Sequence, residues 1–449
     1  SLACAGDVNN DGITDIIVGT SQTEHVVNDA GKAFIYSGTD GTLIREVIGL
    51  TVGDNFGWDV DGVGDLNQDG YADVIIGAPN DQGIGSVSLV SGLDGSTIHY
   101  ILGMESLSFF GKSVSGLNDI DDDGIEDFIV GAPSEDNTGS NSGAARLYSG
   151  ATAVLIRTHL GAGLTDGLGG AVARLGDADG DQVGDYAIGA GGSDVTFPNA
   201  GAVYVYSGLT GTEIFHDYGS ESGEQLGIAV SFAGDIDSDG RADVIAGAWK
   251  SDAGGTDMGE VLAYSGASGA ILYSLVSSVA GFGFSLDYAG DVNSDNRPDF
   301  LVGAPLTSGG VPPGGAAYVY SSSCSNPIVY GAGCPGTGGY VPSLSLQGCG
   351  IPGTSVQVLI SNGLGNAPSL IIVGPDQVDL PLGAGCVLLT FPFLQIQGVA
   401  LDANGSFQIT APLPISPGIT EIFLQAFVID SGGQKGYSAT NGVQLLLEQ

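Results

Sequence analysis

Positive charge is what this sequence has least of. Its 449 residues include ten lysines and arginines against 51 aspartates and glutamates, a formal net charge of −41. Nucleic acid and anionic membrane surfaces are bound through clustered cations, so both are excluded as partners. Long apolar runs are missing as well, and no stretch reaches the roughly 18 residues of a membrane-spanning helix, which excludes membrane insertion by that route. The chain opens Ser1-Leu2-Ala3-Cys4 without a methionine or an apolar leader, so any export signal is expected to lie outside it. Only four histidines occur, His25, His99, His159 and His216, at different places in their repeats. No HExxH, Gly-x-Ser-x-Gly or phosphate-loop pattern accompanies them, so they read as ordinary surface or strand residues. The five cysteines, at 4, 324, 334, 349 and 386, form no CxxC pair. That argues for disulfides in an oxidising compartment and against a zinc site.

What is abundant is glycine and aspartate. Glycine occurs 78 times, where average usage of about 7% would place about 31. An acidic chain of low hydrophobicity would be disordered. Here 43% of residues are hydrophobic and fall in short strand-like runs, so the charge needs a structural sink.

That sink is a nine-residue acidic loop that occurs six times. In Asp119-Ile-Asp121-Asp-Asp123-Gly124-Ile125-Glu-Asp127, carboxylates at positions 1, 3, 5 and 9 and the carbonyl at position 7 supply oxygen ligands for a hard cation. Calcium takes about 6 to 8 oxygens at roughly 2.3 to 2.6 Å. Glycine at position 6 permits the positive φ that folds the early ligands back. Position 12 is Val130, where a helical EF-hand has glutamate, so the loop feeds a strand. The candidate ligands of the other loops are Asp7, Asn9, Asp11, Ile13 and Asp15 in the first, and Asp65, Asn67, Asp69, Tyr71 and Asp73 in the second. The fourth offers Asp177, Asp179, Asp181, Val183 and Asp185, and the fifth Asp235, Asp237, Asp239, Arg241 and Asp243. The sixth offers Asp291, Asn293, Asp295, Arg297 and Asp299. Acidic residues are also common in turns that bind nothing, but six copies in one register, each with Asp at position 9, favour up to six Ca²⁺ ions in a structural role. Gln182 and Asn296 replace the position-6 glycine; asparagine tolerates positive φ and glutamine does so poorly, which makes the fourth loop the weakest of the six. Six divalent ions would still leave a net charge of −29 on a chain of −41.

The loops begin at 7, 65, 119, 177, 235 and 291, a period that marks an array of one supersecondary unit. Around each loop stand a Phe-Gly or Leu-Gly pair upstream, a hydrophobic run ending in Gly-Ala-Pro or a variant, and a Tyr-Ser-Gly strand; the first unit lacks its pair. Four short antiparallel strands per unit, repeated radially, describe a propeller blade. Ile328–Tyr330 is expected as a short fourth strand of the sixth unit. The fold class is therefore all-β, a six-bladed propeller over residues 1–330 followed by a small β-sandwich over 331–449. The sandwich is read from apolar runs such as Ser355–Ile360, Leu370–Val373, Val387–Phe391, Phe407–Thr410 and Ile422–Ile429 between Gly/Pro turns.

The pair, the loop and the Gly-Ala-Pro element together resemble FG-GAP repeats, the calcium-binding blades of integrin alpha-chain heads and of many secreted bacterial proteins. The resemblance covers about residues 1–323. It implies a calcium-stabilised propeller, with seven blades as the alternative count that integrin heads bring. The opening of the second domain resembles a C-terminal domain found behind such arrays in secreted bacterial proteins, to which no activity attaches.

Several residues have open assignments. Cys4 and Cys324 are placed to close the ring, with Cys324–Cys334 as the rival pairing, and two of Cys334, Cys349 and Cys386 are expected to staple the sandwich. Trp58 is expected in the core. Trp249 stands where other units have proline, on the end opposite the acidic loops; it either offers an exposed indole to a sugar or protein loop or packs on the next blade. The functional expectation is a non-enzymatic, secreted or cell-surface binding, adhesion or assembly protein. Its partners would be a protein or carbohydrate ligand, or further copies of itself in an oligomer or filament. The alternative is a secreted hydrolase or lyase acting on polysaccharide, with the sandwich as an accessory domain.

Overall fold

A computed structural model describes residues 1–21, 30–277, 279–294, 297–305, 315–321, 328–330, 334, 340–347, 355–374, 377–383, 386–390, 395–412, 421–430 and 437–446. They form strands and turns, with one 3-10 turn at Asp81–Gly83. The chain divides into two compact units, Ser1–Leu272 with Val276–Ser321, and Ser322–Gln449 with Tyr273–Leu275.

In the first unit each acidic loop lies in its own antiparallel sheet. The first is β1 (Leu2–Gly6), β2 (Asp15–Thr20), β3 (Lys32–Tyr36) and β4 (Leu43–Ile48); the second is β5 (Val60–Gly64), β6 (Asp73–Ala78), β7 (Ser86–Val90) and β8 (Thr97–Leu102). The third is β9 (Ser113–Gly116), β10 (Phe128–Ala132), β11 (Ala144–Tyr148) and β12 (Leu155–Leu160), and the fourth β13 (Ala171–Arg174), β14 (Tyr186–Ala190), β15 (Ala202–Tyr206) and β16 (Glu213–Tyr218). β17 (Leu226–Gly234), β18 (Asp243–Ala248), β19 (Glu260–Tyr264) and β20 (Ile271–Val276) make the fifth. The sixth has three strands among the described residues, β21 (Ser285–Gly290), β22 (Asp299–Ala304) and β23 (Ala316–Ser321).

Burial explains the strand sequences. The second strands β6, β10, β14 and β18 are buried along their whole length, so they read as unbroken apolar runs. The fourth strands β4, β8 and β12 alternate between exposed and half-buried positions, as strands with one wet face do. The core lies between sheets: Ile17 and Ile35 of the first pack with Phe56, Val60 and Ile76 of the second, and Phe110 and Phe128 of the third with Val87 and Leu89 of the second. Successive first strands touch, β1 with β5, β5 with β9, and so on to β21. Cys4 on β1 is within electrostatic reach of Asp61, Arg174 and Asp287, on β5, β13 and β21, so the first strands gather about one axis. These are blade-like sheets in the radial order of a β-propeller.

The two glycine motifs are one joint. Gly57 N donates to Gly77 O at 3.0 Å and Gly111 N to Gly131 O at 3.0 Å, which ties the Phe-Gly pair to the Gly-Ala-Pro run of the same sheet. A Cβ on Gly77 would lie 2.1 Å from Gly111 O of the next sheet. Neither position has room for a side chain, which is why the pair and the run recur together.

In the second unit, β24 (Ile328–Tyr330), β27 (Pro368–Gly374), β30 (Gln395–Ala400), β32 (Glu421–Ile429) and β33 (Tyr437–Leu446) form a five-stranded sheet. β25 (Ser343–Gln347), β26 (Ser355–Ser361) and β31 (Phe407–Pro412) form a second sheet, and β28 (Gln377–Gly383) pairs with β29 (Cys386–Thr390). Leu344, Val358 and Ile360 of the three-stranded sheet share one core with Ile371, Ile422, Leu424 and Val428 of the five-stranded sheet. Ile328–Tyr330 is not the fourth strand of the sixth repeat: it pairs with β33, Val329 opposite Val443. Its Ile-Val-Tyr composition suits any sheet edge, and β33 is the edge it meets.

Cys4 carries a free thiol, so the bond from Cys4 to Cys324 is not formed. Burial, then the nearby carboxylates of Asp287 and Asp61, push that thiol above its usual range. Cys334 is disulfide-bonded, and Cys324 and Cys349 lie outside the described residues.

Candidate metal centres

Each acidic loop is the turn between the first and second strands of its sheet, so the meander topology puts all six at one end. The position-9 aspartates Asp15, Asp73, Asp243 and Asp299 open their second strands, Asp127 and Asp185 immediately precede theirs, and all six are at most 1% exposed. Each accepts on Oδ2 from the backbone N–H at position 2, as Val8 to Asp15 at 3.0 Å, Leu66 to Asp73 at 2.8 Å and Ile120 to Asp127 at 2.8 Å. The same bond joins Ala178 to Asp185 and Ile236 to Asp243 at 2.7 Å, and Val292 to Asp299 at 2.8 Å. In the first five sheets Oδ1 accepts from the glycine of the Tyr-Ser-Gly element or its variant: Gly38, Gly92, Gly150, Gly208 and Gly266, at 2.8 to 3.1 Å. Burial pushes the carboxyls of Asp73, Asp127 and Asp185 up to about 6 and that of Asp243 up to about 7, against the pull of these hydrogen bonds.

The other ligand positions are shaped by Asx turns. Position 1 accepts from the N–H of position 6, as Gly12 to Asp7 at 2.8 Å, Gly70 to Asp65 at 2.8 Å, Gly124 to Asp119 at 2.7 Å and Gly240 to Asp235 at 2.9 Å. Position 5 accepts from position 7, as Ile13 to Asp11, Ile125 to Asp123, Val183 to Asp181 and Arg241 to Asp239 at 2.9 Å, and Tyr71 to Asp69 at 3.0 Å. Asn9 and Asn67 at position 3 accept from Asp11 N and Asp69 N. The position-6 glycines Gly12, Gly70, Gly124 and Gly240 have φ of 82–89°. Gln182 is held at 74° in the fourth loop, and its N–H still reaches Asp177 at 3.0 Å.

Three loops bring three carboxylates together with one oxygen of each within 4.8 Å of the others: Asp119, Asp121 and Asp127; Asp177, Asp179 and Asp185; Asp235, Asp237 and Asp239. The first two loops have asparagine at position 3, so their donors include an amide oxygen. In the sixth loop Asp291, Asn293, Arg297 and Asp299 are described, and Asp295 and Asn296 lie outside the described residues. Burial and then repulsion from Asp123 and Asp119 raise the Asp121 carboxyl; burial and then Asp239 raise Asp237. Oxygen-only donor sets of like charge, crowded and partly desolvated, fit a hard divalent cation.

The sequence reading overlooked the serines that directly follow the third strands. Ser91 Oγ donates to Asp69 at 3.2 Å, Ser149 Oγ to Asp123 at 3.4 Å and Ser207 Oγ to Asp181 at 3.3 Å, and Thr39 Oγ1 reaches Asp11 at 2.9 Å. The signal was present in the Ser of the Tyr-Ser-Gly element and its variants, which looked like strand text and is the far wall of the loop.

The other candidates resolve as packing. Trp249 is half-buried, its Nε1 donating to Gln225 at 2.6 Å and its ring edge-on to Phe284 at 5.2 Å, so no free indole is offered. Trp58 is half-buried, not core, with the Lys112 ammonium 4.0 Å from its ring centre. His99, His159 and His216 all lie on fourth strands, and His25 is outside the described residues. His159 sits among tyrosine rings with Nε2 2.8 Å from Tyr186 Oη. Burial, then the Arg157 charge, hold it down at about 4.

The FG-GAP repeat family matches residues 1–36, 56–90 and 110–148, the first three strands of the first three sheets. The fourth, fifth and sixth sheets keep the position-9 aspartate and its backbone bond while departing from the motif at Gln182, Trp249 and Asn296. Among curated proteins, integrin alpha-8 of Gallus gallus is 27% identical over 271 residues, 57% of this chain and 20% of the integrin. Integrin alpha-5 of Xenopus laevis is 29% identical over 216 residues, 44% of this chain and 20% of the integrin. Integrin alpha-6 of Gallus gallus is 36% identical over 138 residues, 29% of this chain and 13% of the integrin. The chain thus spans a fifth or less of the length of these relatives. Among the described residues no helix is long and apolar enough to cross a membrane. The sheets, their glycine joints and these relatives agree: the chain carries FG-GAP repeats and has an integrin alpha-like FG-GAP fold.

Proposed function

We propose that this chain is a non-enzymatic, calcium-stabilised extracellular binding module, engaged in adhesion or surface assembly through a protein or carbohydrate ligand. The observation that carries it is the pairing of oxygen-only loops, repeated sheet after sheet at one end of the first unit, with a position-9 carboxylate buried in each. Calcium at those loops would be held by the carboxylates at positions 1, 3, 5 and 9 and the position-7 carbonyl. Its chemistry there is charge neutralisation and cross-linking of the turn. The integrin alpha-chain relatives support the adhesion reading, and the second unit, residues 331–449 in the division proposed from sequence, would serve as a companion domain.

Thermal unfolding with millimolar calcium and with excess chelator tests it. An ion that binds only the folded state adds about 2.7 kcal/mol per site at one hundred times its dissociation constant, so chelation is expected to lower Tm markedly. An unchanged melting curve overturns structural calcium. Turnover of a polysaccharide, abolished by one substitution at the end opposite the acidic loops, would overturn the non-enzymatic reading.

A further inference from the structure

We propose that Arg241 sets the calcium affinity of the fourth loop by resting its guanidinium on that loop's first ligand, Asp177; the inference rests on the calcium reading above. Arg241 is position 7 of the fifth loop, where its carbonyl is the candidate ligand and its side chain is free to turn elsewhere. It turns back across the blade boundary, and Nη1 stands 3.7 Å from Asp177 Oδ1 with both side chains about one-third exposed.

Two features hold it there. Ala242 N donates to Asp177 O at 2.9 Å, which pins the backbone next to Arg241 against the start of the fourth loop. Ala72 N makes the same bond to Asp7 O at 3.0 Å between the second and first loops, so position 8 of one loop meets position 1 of the loop before it at both boundaries. The second feature is the glycine at position 4. The other loops have Asn10, Gln68, Asp122, Ser238 and Ser294 there, with φ of 58–63°, and the fourth has Gly180 at 89°. A Cβ on Gly180 would lie 1.2 Å from Arg241 Nη1, so the guanidinium occupies the space that a side chain fills elsewhere. The exchange of glycine from position 6 to position 4, with Gln182 left at positive φ, is the accommodation that lets the arginine in.

An incoming divalent ion meets a unit positive charge a few ångströms away, on a carboxylate it must share. Coulomb's law in water, reduced by physiological screening, makes that repulsion worth about a five- to fifteenfold loss of affinity. An ion pair this exposed is itself weak, so the arginine moderates binding without abolishing it.

The test is calcium binding to the full chain by calorimetry and by competition with a chromophoric chelator at 0.15 M salt. Wild type is compared with Arg241→Gln and Gly180→Asn, each with and without Asp181→Ala, which removes the position-5 carboxylate that all six loops carry. Arg241→Gln removes the charge, and Gly180→Asn expels it while giving position 4 the residue of the first loop. Each is expected to tighten one site by about five- to fifteenfold, a gain that disappears in the Asp181→Ala background and so belongs to the fourth loop. Isotherms of Arg241→Gln and Gly180→Asn that overlay a calcium-binding wild type overturn the role of Arg241. No calcium uptake by any of the proteins overturns the calcium reading itself, and this one with it.

Discussion

Asp127 separates two jobs that the acidic loops combine. It is fully buried, and its carboxylate accepts from Ile120 N at 2.8 Å and Gly150 N at 3.0 Å. Replacement by alanine orphans both donors, at about 1–3 kcal/mol each. Part of that loss is returned, because burial raises this carboxyl to about 6, and every tenfold loss of acidity is about 1.4 kcal/mol of cost in the charged form. In chelator at pH 7, Asp127→Ala should therefore destabilise by about 2 kcal/mol. Asp123 is surface-exposed and holds the local N–H of Ile125, so Asp123→Ala should be neutral within about 0.5 kcal/mol in chelator. In calcium both losses grow: Asp123→Ala forfeits the linkage energy of its ion, and Asp127→Ala loses that energy as well as its two backbone bonds. Urea unfolding of the three proteins in calcium and in chelator reads this directly. An Asp127→Ala midpoint equal to wild type in chelator would refute the stabilising role of its two backbone bonds, and an Asp123→Ala loss of equal size in both conditions would refute the ligand role.

Two further outcomes follow from the other buried charges. Glu135 and Arg146 form a bidentate pair, with side chains 4% and 5% exposed; burial raises the glutamate and the Arg146 hydrogen bonds more than offset it, holding it below its ordinary range. Arg146→Met should cost about 3–5 kcal/mol by denaturant unfolding, and Glu135→Gln with Arg146→Met should recover much of it; a strictly additive double variant would count against the pair. His159, held at about 4 against an ordinary 6.5, binds its proton more readily unfolded, so its contribution is whole above pH 6.5 and is lost as pH falls toward 4. Allowing for partial exposure this is about 2 kcal/mol, and a His159→Gln variant with the same pH slope of stability as wild type would show that the ring is not buried neutral.

What was legible in the sequence was what chemistry restricts to one or two residue types. A buried carboxylate that must meet two backbone donors can be aspartate and little else, so position 9 survives in sheets where the FG-GAP text has faded. Two glycines that must touch, such as Gly77 and Gly111, are legible for the same reason. Contacts that many residues can make were not. Ile328–Tyr330 has the composition of a strand, and only the available edge decided that β33 would take it. Trp249 was open between an exposed handle and packing because its partners, Gln225 and Phe284, come from neighbouring segments that nothing local announces. Cys4 looked like half of a bridge because cysteine parity says nothing of direction, and its thiol faces the charged inner strands.

Polar side chains also complete the inner edge, where each first strand would otherwise present unpaired backbone donors. Asp59 accepts from Val114 N at 2.9 Å, Asp61 from Gly116 N and Ser115 Oγ at 3.0 Å, and Ser113 and Ser115 from Val172 N and Arg174 N at 3.1 and 3.2 Å. Each bond runs from one sheet's first strand to the side chain of the sheet before it, so the second, third and fourth sheets are stitched at the axis. Burial lifts the Asp61 carboxyl to about 6, against Arg174 and the hydrogen bonds from Ser115 and Gly116 that pull it down. The axial edge and the acidic end are thus occupied by bonds that fix residue type. At the other end the repeated bonds are between main chains, as Gly103 N to Gly85 O at 2.9 Å, Gly161 N to Gly143 O at 3.0 Å and Gly219 N to Gly201 O at 3.0 Å, so the loops there are held in register without fixing most of their side chains, and Leu50, Met104, Leu107 and Leu164 stand more than 60% exposed on them.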